Sequence, residues 1–204
     1  MKKKLIEVTT RELFSSNGKK INKSMEKIIE VFPLAYDHSK LTPSKLVKYI
    51  WQKLNENNMN NAERGYCFEA IIMLVLLRNN INPFFYQVSL NFVPNVKFDL
   101  VLFNQDKNPI VISLKTSSRE RYKQVELEAL LCKQVHRFLK TYLVMIEADD
   151  VGYVKQKIES REITFIDNCF CALDEEFDEF INSLSKSDYI EPGDISIISS
   201  GKKF

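Results

Sequence analysis

Residues 97–115 read KFDLVLFNQDKNPIVISLK, in which two apolar runs flank a short polar segment. The runs at 97–103 and 109–117 have the length and aliphatic content of strands. The intervening NQDKN (104–108) has the length of a turn that joins antiparallel neighbours. The stretch therefore predicts a β-hairpin. Two charged side chains, Asp99 and Lys115, interrupt its apolar pattern.

The sequence around this hairpin predicts an α/β pattern. FFYQVSLNF (84–92) has strand character and is joined to the hairpin by the turn-like VPN (93–95). Further strands are expected at 142–148 and 163–170, with 195–200 as an edge strand, and helices at 20–36, 42–57, 62–78, 120–140, 150–160 and 175–186. From residue 62 the order is α-β-β-β-α-β-α-β-α, which predicts a mixed α/β (α+β) sheet. We expect one domain over 1–204, with a helical subregion at 1–60 and a core at 61–204.

The composition narrows the class of protein. Hydrophobic residues make up 45% of the 204 residues, and 29 Lys and Arg against 27 Asp and Glu give a net charge of +2. This balance does not indicate a polybasic binder, although a DNA enzyme can collect its basic groups on one face. No apolar run approaches the roughly 20 residues that span a membrane. The four cysteines lack zinc-ligand spacing, and the N-terminus lacks the apolar core of a signal peptide. A cytoplasmic protein with no membrane partner is therefore expected.

The predicted helix at 120–140 carries a carboxylate within an apolar stripe. At about 100° per residue, one face of this helix collects Leu127, Leu131, Val135, Phe138 and Leu139. Glu128 lies inside this stripe, which we expect to be buried, whereas Glu126 points away and is expected to face solvent. A buried carboxylate is costly unless it is paired or binds a metal, although a Glu at the edge of a stripe can also reach water.

Three other segments show the same conflict between polarity and surroundings. Glu69 shares a face with apolar residues of the helix at 62–78, and Asp99 interrupts a strand, where Asp is rare. Ser113 and Lys115 are two residues apart and therefore project from the same face of their strand. Each has an ordinary structural explanation when taken alone. Together they suggest two carboxylates that converge on a hard cation, with a lysine beside them, which is the composition of a site that cleaves phosphodiesters.

This order of residues resembles the PD-(D/E)xK nuclease superfamily, whose restriction-endonuclease-like core is α-β-β-β-α-β. In that family an Asp lies on the second strand and (D/E)-x-K on the third. The resemblance covers residues 62–170, where Asp99 matches the Asp and Ser113-Leu114-Lys115 matches (D/E)-x-K. Phe98 replaces the Pro, and Ser113 replaces the acidic residue, which removes one metal ligand.

The Ser113 replacement resembles the group of restriction enzymes that read CC/GG-containing sites (SsoII/PspGI/EcoRII/NgoMIV-like). In that group the missing carboxylate lies on the following helix, and the SsoII-like members have twelve residues between it and the lysine. Lys115 and Glu128 have this spacing. Arg119, Glu120 and Arg121 match the group's R-(D/E)-R element, which reads C·G pairs in the major groove. Arg can donate to guanine O6 and N7, and Glu can accept from cytosine N4.

The resemblance implies a type II restriction endonuclease that hydrolyses double-stranded DNA at a short palindrome of the CCNGG, CCWGG or CCGG type and leaves 5′-phosphate ends. Asp99 and Glu128 would bind Mg²⁺, Lys115 and Ser113 would be catalytic-site residues, and Glu69 would lie beside the metal or at a second metal position. A palindromic target implies a homodimer, and a restriction system implies a cognate DNA methyltransferase. Two alternatives stay open: a structure-dependent repair or junction nuclease of the same superfamily, and a catalytically inactive DNA-binding protein.

Overall fold

A computed structural model describes residues 8–15, 21–35, 41–55, 59–91, 93, 96–116, 121–192 and 198–203. Seven helices and six strands lie within these residues, which confirms the predicted mixed α/β class and the order of elements from residue 62 onward. In chain order they are α1 (Thr10–Ser15), α2 (Lys23–Val31), α3 (Pro43–Asn55), α4 (Asn61–Arg78), β1 (Phe85–Leu90), β2 (Phe98–Phe103), β3 (Pro109–Lys115), α5 (Arg121–Val135), β4 (Lys140–Met145), α6 (Ala148–Glu159), β5 (Asn168–Cys171), α7 (Glu175–Ser185) and β6 (Ile198–Lys203).

The chain divides into two compact units. A helical unit comprises residues 1–81, 173–185 and 204, and a sheet unit comprises residues 82–172 and 186–203. The helix α4 thus groups with the N-terminal helices, whereas the sequence placed it in the core at 61–204. The prediction of one domain with a helical subregion at 1–60 stays a prediction.

The helical unit contains α1, α2, α3, α4 and α7. The helix α4 begins with a capping box, in which the Asn60 side chain accepts from the Glu63 amide and the Glu63 side chain accepts from the Asn60 amide. Residues 67–77 of α4 are all buried. The α3 residue Ser44 donates from its amide and its hydroxyl to Asp178 of α7, at 2.6 and 2.9 Å. Among the described helices, none combines the length and apolar character needed to cross a membrane.

The sheet unit is built on six strands in the order β5-β4-β3-β2-β1-β6. The β1–β2 and β2–β3 pairs are antiparallel, which confirms the predicted hairpins. The β3–β4 and β4–β5 pairs are parallel, and their connections contain α5 and α6. The strand β3 therefore has an antiparallel neighbour on one side and a parallel neighbour on the other, so its last residues lead directly toward α5.

One face of the sheet packs into an apolar core with the end of α5. Cys132 of α5 and Leu139, which follows the helix, are buried there. The strand residues of this core are Phe85, Val88, Leu90, Phe98, Val101, Phe103 and Val111. Burial of these side chains is the main favourable contribution to the stability of the unit.

The buried face of α5 is not the one that the sequence predicted. The buried residues of the helix are Tyr122, Val125, Ala129 and Cys132. Of the predicted stripe, only Leu139 is buried, whereas the exposed members are Leu127, Leu131, Val135 and Phe138. The helix ends at Val135, so Phe138 and Leu139 do not follow its periodicity. The face that is buried instead carries the small side chains of Ala129 and Cys132, which allow the helix to pack closely on the sheet.

The prediction that Glu126 faces solvent is also wrong. Its Oε1 accepts from the backbone N–H groups of Thr164 at 2.8 Å and Phe165 at 3.1 Å. Its Oε2 accepts from Phe165 at 3.1 Å and Ile166 at 3.0 Å. One ionisable side chain of α5 thus satisfies three consecutive amides in the segment that precedes β5.

Asp167 attaches α5 to the same segment at a second point. Its carboxylate accepts from Lys133 of α5 at 2.7 Å, from Lys140 at 3.0 Å and from the Thr141 amide at 2.8 Å. Burial alone would raise the pKa of Asp167, but the hydrogen bonds from Lys133, Thr141 and Lys140 outweigh it and hold the pKa below its ordinary value. The Asp167 carboxylate is therefore held in its ionised form at neutral pH.

Candidate active site

The β2–β3 hairpin brings Asp99 and Lys115 together. Asp99 Oδ2 accepts from the Leu114 amide at 2.8 Å and from Lys115 Nζ at 3.2 Å. The two charged side chains are only 13% and 17% exposed, respectively. The register pairs Leu100 with Ile112, so its continuation sets Asp99 across from the buried Ser113. The hairpin thus gathers a carboxylate, an ammonium and a hydroxyl residue at neighbouring positions.

Glu128 of α5 belongs to the same electrostatic cluster. Burial raises the pKa of Glu128 above its ordinary value, a hydrogen bond from Gln124 and the charge of Lys115 lower it, and the charge of Asp99 raises it. The Gln124 hydrogen bond is 2.7 Å long, from Nε2 to Glu128 Oε1. The net upward direction means that the ionised Glu128 lacks sufficient compensating positive charge.

Cys132, one turn after Glu128, lies on the apolar side of this carboxylate. Burial, with a smaller contribution from the negative charge of Glu128, raises the pKa of the Cys132 thiol to about 12. The thiol therefore stays protonated at neutral pH and is unsuited to nucleophilic catalysis. Cys132 is fully buried and belongs to the apolar core of the sheet unit.

Asp99 and Glu128 offer the oxygen ligands that hard divalent cations prefer. Within the residues that the structure describes, no group of three or more His, Cys, Asp or Glu side chains is placed to hold a metal ion. Mg²⁺ commonly takes only one or two protein carboxylates and completes its coordination with water and substrate phosphate. A pair of carboxylates therefore fits Mg²⁺, and coordination by these two residues stays a prediction.

The other predicted site residues are Glu69, Arg119, Glu120 and Arg121. Glu69 is on α4 in the helical unit and is 8% exposed, and its catalytic role stays a prediction. Arg119 and Glu120 lie outside the described residues, whereas Arg121 is the exposed first residue of α5. The base-reading role of all three stays a prediction.

The sequence interpretation missed Gln124. This side chain lies one turn before Glu128, at the i, i+4 spacing at which helical side chains meet. The spacing was therefore the available signal, but Gln at an exposed helical position is too common to stand out. By donating to Oε1, Gln124 restricts the orientation of the Glu128 carboxylate.

The raised pKa of Glu128 predicts that Glu128→Gln stabilises the protein at about pH 8, with a melting temperature higher by roughly 2 °C. A carboxyl whose pKa is raised on folding contributes stability below its ordinary value of 4.5 and loses it as the pH rises through the folded-state pKa. The neutral amide avoids this loss. Thermal unfolding without added metal, followed by circular dichroism from about pH 4 to pH 8, should show the gain vanish toward pH 4. The exposed Glu159→Gln is the control, and a lower melting temperature of Glu128→Gln at pH 8 would refute the expectation.

Comparison with protein-family models, with curated proteins and with solved structures finds no match to the chain. The features of this chain that bear on its function are therefore the geometry around Asp99, Lys115 and Glu128 and the motifs of the sequence. This geometry combines two carboxylates suited to a hard cation with a lysine that donates to one of them.

Proposed function

We propose that the chain is a Mg²⁺-dependent type II restriction endonuclease of the PD-(D/E)xK superfamily. The observation that carries the proposal is the hydrogen bond from Lys115 Nζ to Asp99 Oδ2 at 3.2 Å, with Glu128 within electrostatic reach of both groups. The order α4-β1-β2-β3-α5-β4 is the order of that superfamily's core. The position of Glu128 on the helix after the lysine favours the CC/GG-reading group.

In the proposed mechanism, Asp99 and Glu128 would hold Mg²⁺, and Lys115 would position the nucleophile. The cation held there would supply positive charge to the scissile phosphate and would make the attacking water more acidic. An ammonium group has three donors, so Lys115 can keep its bond to Asp99 while it orients the attacking water or contacts a phosphate oxygen. Ser113 supplies a hydroxyl beside these groups but does not replace the missing negative charge. The products have 5′-phosphate and 3′-hydroxyl ends.

The proposed target is double-stranded DNA with a short palindromic CC/GG site. Arg121 is exposed at the first position of α5, and Glu128 lies on the same helix two turns later. Base recognition by Arg119, Glu120 and Arg121 would therefore be connected through α5 to the proposed metal ligand. Two subunits would each read one half-site and cut one strand, and a cognate methyltransferase would protect the host DNA.

The proposal predicts discrete Mg²⁺-dependent cuts beside CC/GG motifs when DNA of known sequence is digested and the fragment ends are sequenced. Chelation of the metal should abolish cutting. Glu128→Ala should lower the cleavage rate at least about a hundredfold, because one of the two proposed metal ligands is lost. Glu159→Ala, which removes an exposed carboxylate at the end of α6, should cut like the wild type.

Other outcomes separate the alternatives. Cutting of branched or nicked DNA without sequence preference would contradict the restriction activity and favour a repair or junction nuclease. Specific binding without cleavage in either Mg²⁺ or Mn²⁺ would favour a catalytically inactive DNA-binding protein. Neither binding nor cutting on any of these DNA substrates would refute all three.

A further inference from the structure

The outward side of α3 is basic. The helix reads PSKLVKYIWQKLN, with three lysines and no Asp or Glu. Lys45, Lys48 and Lys53 are all exposed, and none of them forms an ion pair with another residue that the structure describes. We call these three residues the α3 lysine face.

The α3 lysine face is a row of like charges on one side of a well-anchored helix. At about 100° per residue, the three lysines lie within an arc of about 140°. The rise of about 1.5 Å per residue places Lys53 about 12 Å along the axis from Lys45. Lysines three residues apart, as Lys45 and Lys48 are, repel one another and do not stabilise the helix. The apolar residues of the opposite side, which anchor α3 in the helical unit, are Leu46, Val47, Ile50 and Leu54.

Two aromatic rings hold cations at this surface. Lys53 Nζ lies 5.2 Å from the centroid of the Tyr49 ring, and the guanidinium of Arg64 in α4 lies 5.4 Å from that of Trp51. Trp51 comes three residues after Lys48 and neighbours it on α3, so Arg64 extends the basic surface onto the next helix. A cation that is held against a ring loses less conformational freedom when it binds an anion.

The carboxylates beside α3 have other partners. Asp178 of α7 accepts from the amide and the hydroxyl of Ser44, in the first turn of α3. Glu63 of α4 pairs with Lys27 at 3.2 Å and with Lys23 at 3.7 Å. Within the described part of the chain, the other acidic residues of α7 form no ion pair with the lysines of α3. The positive charge of the α3 lysine face is therefore available to an external anion.

We propose that the α3 lysine face binds the phosphate backbone of double-stranded DNA. Each strand of a duplex carries one negative charge per about 3.4 Å of its axis, so a row of cations about 12 Å long can meet three or four phosphates. An anionic membrane is a poor occupant, because a basic helix that lies on a membrane inserts its apolar side, and that side of α3 is buried. An acidic protein is a poorer match than DNA, since lysine is depleted in protein–protein interfaces.

The choice of double-stranded DNA as the anion also rests on the proposed function. The contact itself is independent of base sequence, because phosphates carry no sequence information. It lies in the helical unit, whereas Asp99, Lys115 and Glu128 lie in the sheet unit. The α3 lysine face thus supplies affinity for any duplex, separately from the groups proposed to cut it.

The test is the binding of a fluorescent duplex that lacks CC and GG steps to the full chain, in the presence of a chelator. Fluorescence anisotropy at about 50 to 200 mM salt would give the dissociation constant and its salt dependence. Lys45→Gln combined with Lys48→Gln should weaken binding at least about tenfold at about 100 mM salt. The slope of log Kd against log salt should fall by about 2, since each lost phosphate contact removes about 0.9.

A matched control removes the same charge from the sheet unit. Lys107→Gln combined with Lys186→Gln changes two exposed lysines there and should leave the affinity and the slope at their wild-type values. Gln forms helices about as well as Lys, so circular dichroism should show an unchanged fold for both double variants.

Three results would overturn the proposal. One is a wild type that does not bind the duplex, and another is a Lys45→Gln/Lys48→Gln variant with the affinity and salt slope of the wild type. The third is lysine-dependent binding of poly-glutamate or of phosphatidylserine vesicles that is as tight as the binding of DNA, which would assign the surface to an acidic protein or a membrane.

Failure of the proposed function is a separate result. A chain that binds the duplex through Lys45 and Lys48 but never cuts DNA would retain the α3 contact and refute the nuclease. A chain that cuts at CC/GG sites, and whose Lys45→Gln/Lys48→Gln variant binds the duplex as the wild type does, would retain the nuclease and refute the α3 contact.

Discussion

Replacing Asp99 with Asn is expected to lower Mg²⁺-dependent DNA cleavage at least about a thousandfold while the fold is retained. The amide oxygen can still accept from the Leu114 amide, which donates to Asp99 Oδ2 at 2.8 Å. The substitution removes the negative charge that is proposed to bind the cation and that forms an ion pair with Lys115. Asp99 should therefore be more sensitive than Glu128, since it contacts both the proposed cation and the proposed positioning residue.

The measurement is the rate of a single turnover with enzyme in excess over DNA, together with thermal unfolding of each variant. Asp106→Asn is a matched control, because Asp106 is exposed in the turn between β2 and β3. It should cut at the wild-type rate. Cleavage by Asp99→Asn within about threefold of wild type, far less than the loss of a metal ligand causes, would rule out the proposed role of Asp99.

Replacing Glu126 with Ala is expected to destabilise the protein by about 2–3 kcal/mol, because three consecutive amides lose their side-chain hydrogen-bond acceptor. The N–H groups of Thr164, Phe165 and Ile166 would need other partners. For a chain of this length the loss corresponds to a decrease of roughly 4–12 °C in melting temperature. Urea unfolding at neutral pH would measure the change in the free energy of unfolding directly.

Glu126→Gln and Glu128→Gln form a matched pair on one helix with opposite expected signs. Glu126 makes four hydrogen-bond contacts to backbone amides, and an amide in its place cannot accept at both terminal atoms. Glu128 instead carries a charge that is partly uncompensated. Wild-type stability of both Glu126 variants would show that the contacts to residues 164–166 contribute little.

The order of elements and the central hairpin were predictable from the sequence. The runs at 97–103 and 109–117 have the length and apolar content of buried strands, and the short turn between them favours an antiparallel hairpin. Once these strands pair, Asp99 and Lys115 must be neighbours. The pairing of the candidate catalytic residues therefore follows from local pattern and strand geometry alone.

The orientation of α5 was not predictable in the same way. The helix has two apolar faces, and periodicity reports the presence of a face but not which one packs on the sheet. The larger side chains suggested Leu127 and Leu131, whereas the structure buries the smaller Ala129 and Cys132. Glu128 is half-buried at the edge of the buried face, although most of the predicted stripe that contained it is exposed.

The role of Glu126 was hidden for a different reason. Its partners are backbone amides 38 to 40 residues away, and main-chain donors leave no trace in the side-chain pattern. The same holds for the bond from the Thr141 amide to Asp167. Contacts of this kind become visible only when the chain path is known.

The two contacts of α5 with residues 164–167 restrict rotation of the helix about its own axis. Glu126 and Lys133 lie seven residues apart, about two turns, so both anchors are on one side of the helical axis. A rotation of α5 by about 10° would move a side-chain tip by about 1 Å, a displacement that can cost an enzyme about a hundredfold in rate. The angular setting of Glu128 toward Asp99 is thus governed by a loop that carries none of the proposed catalytic groups.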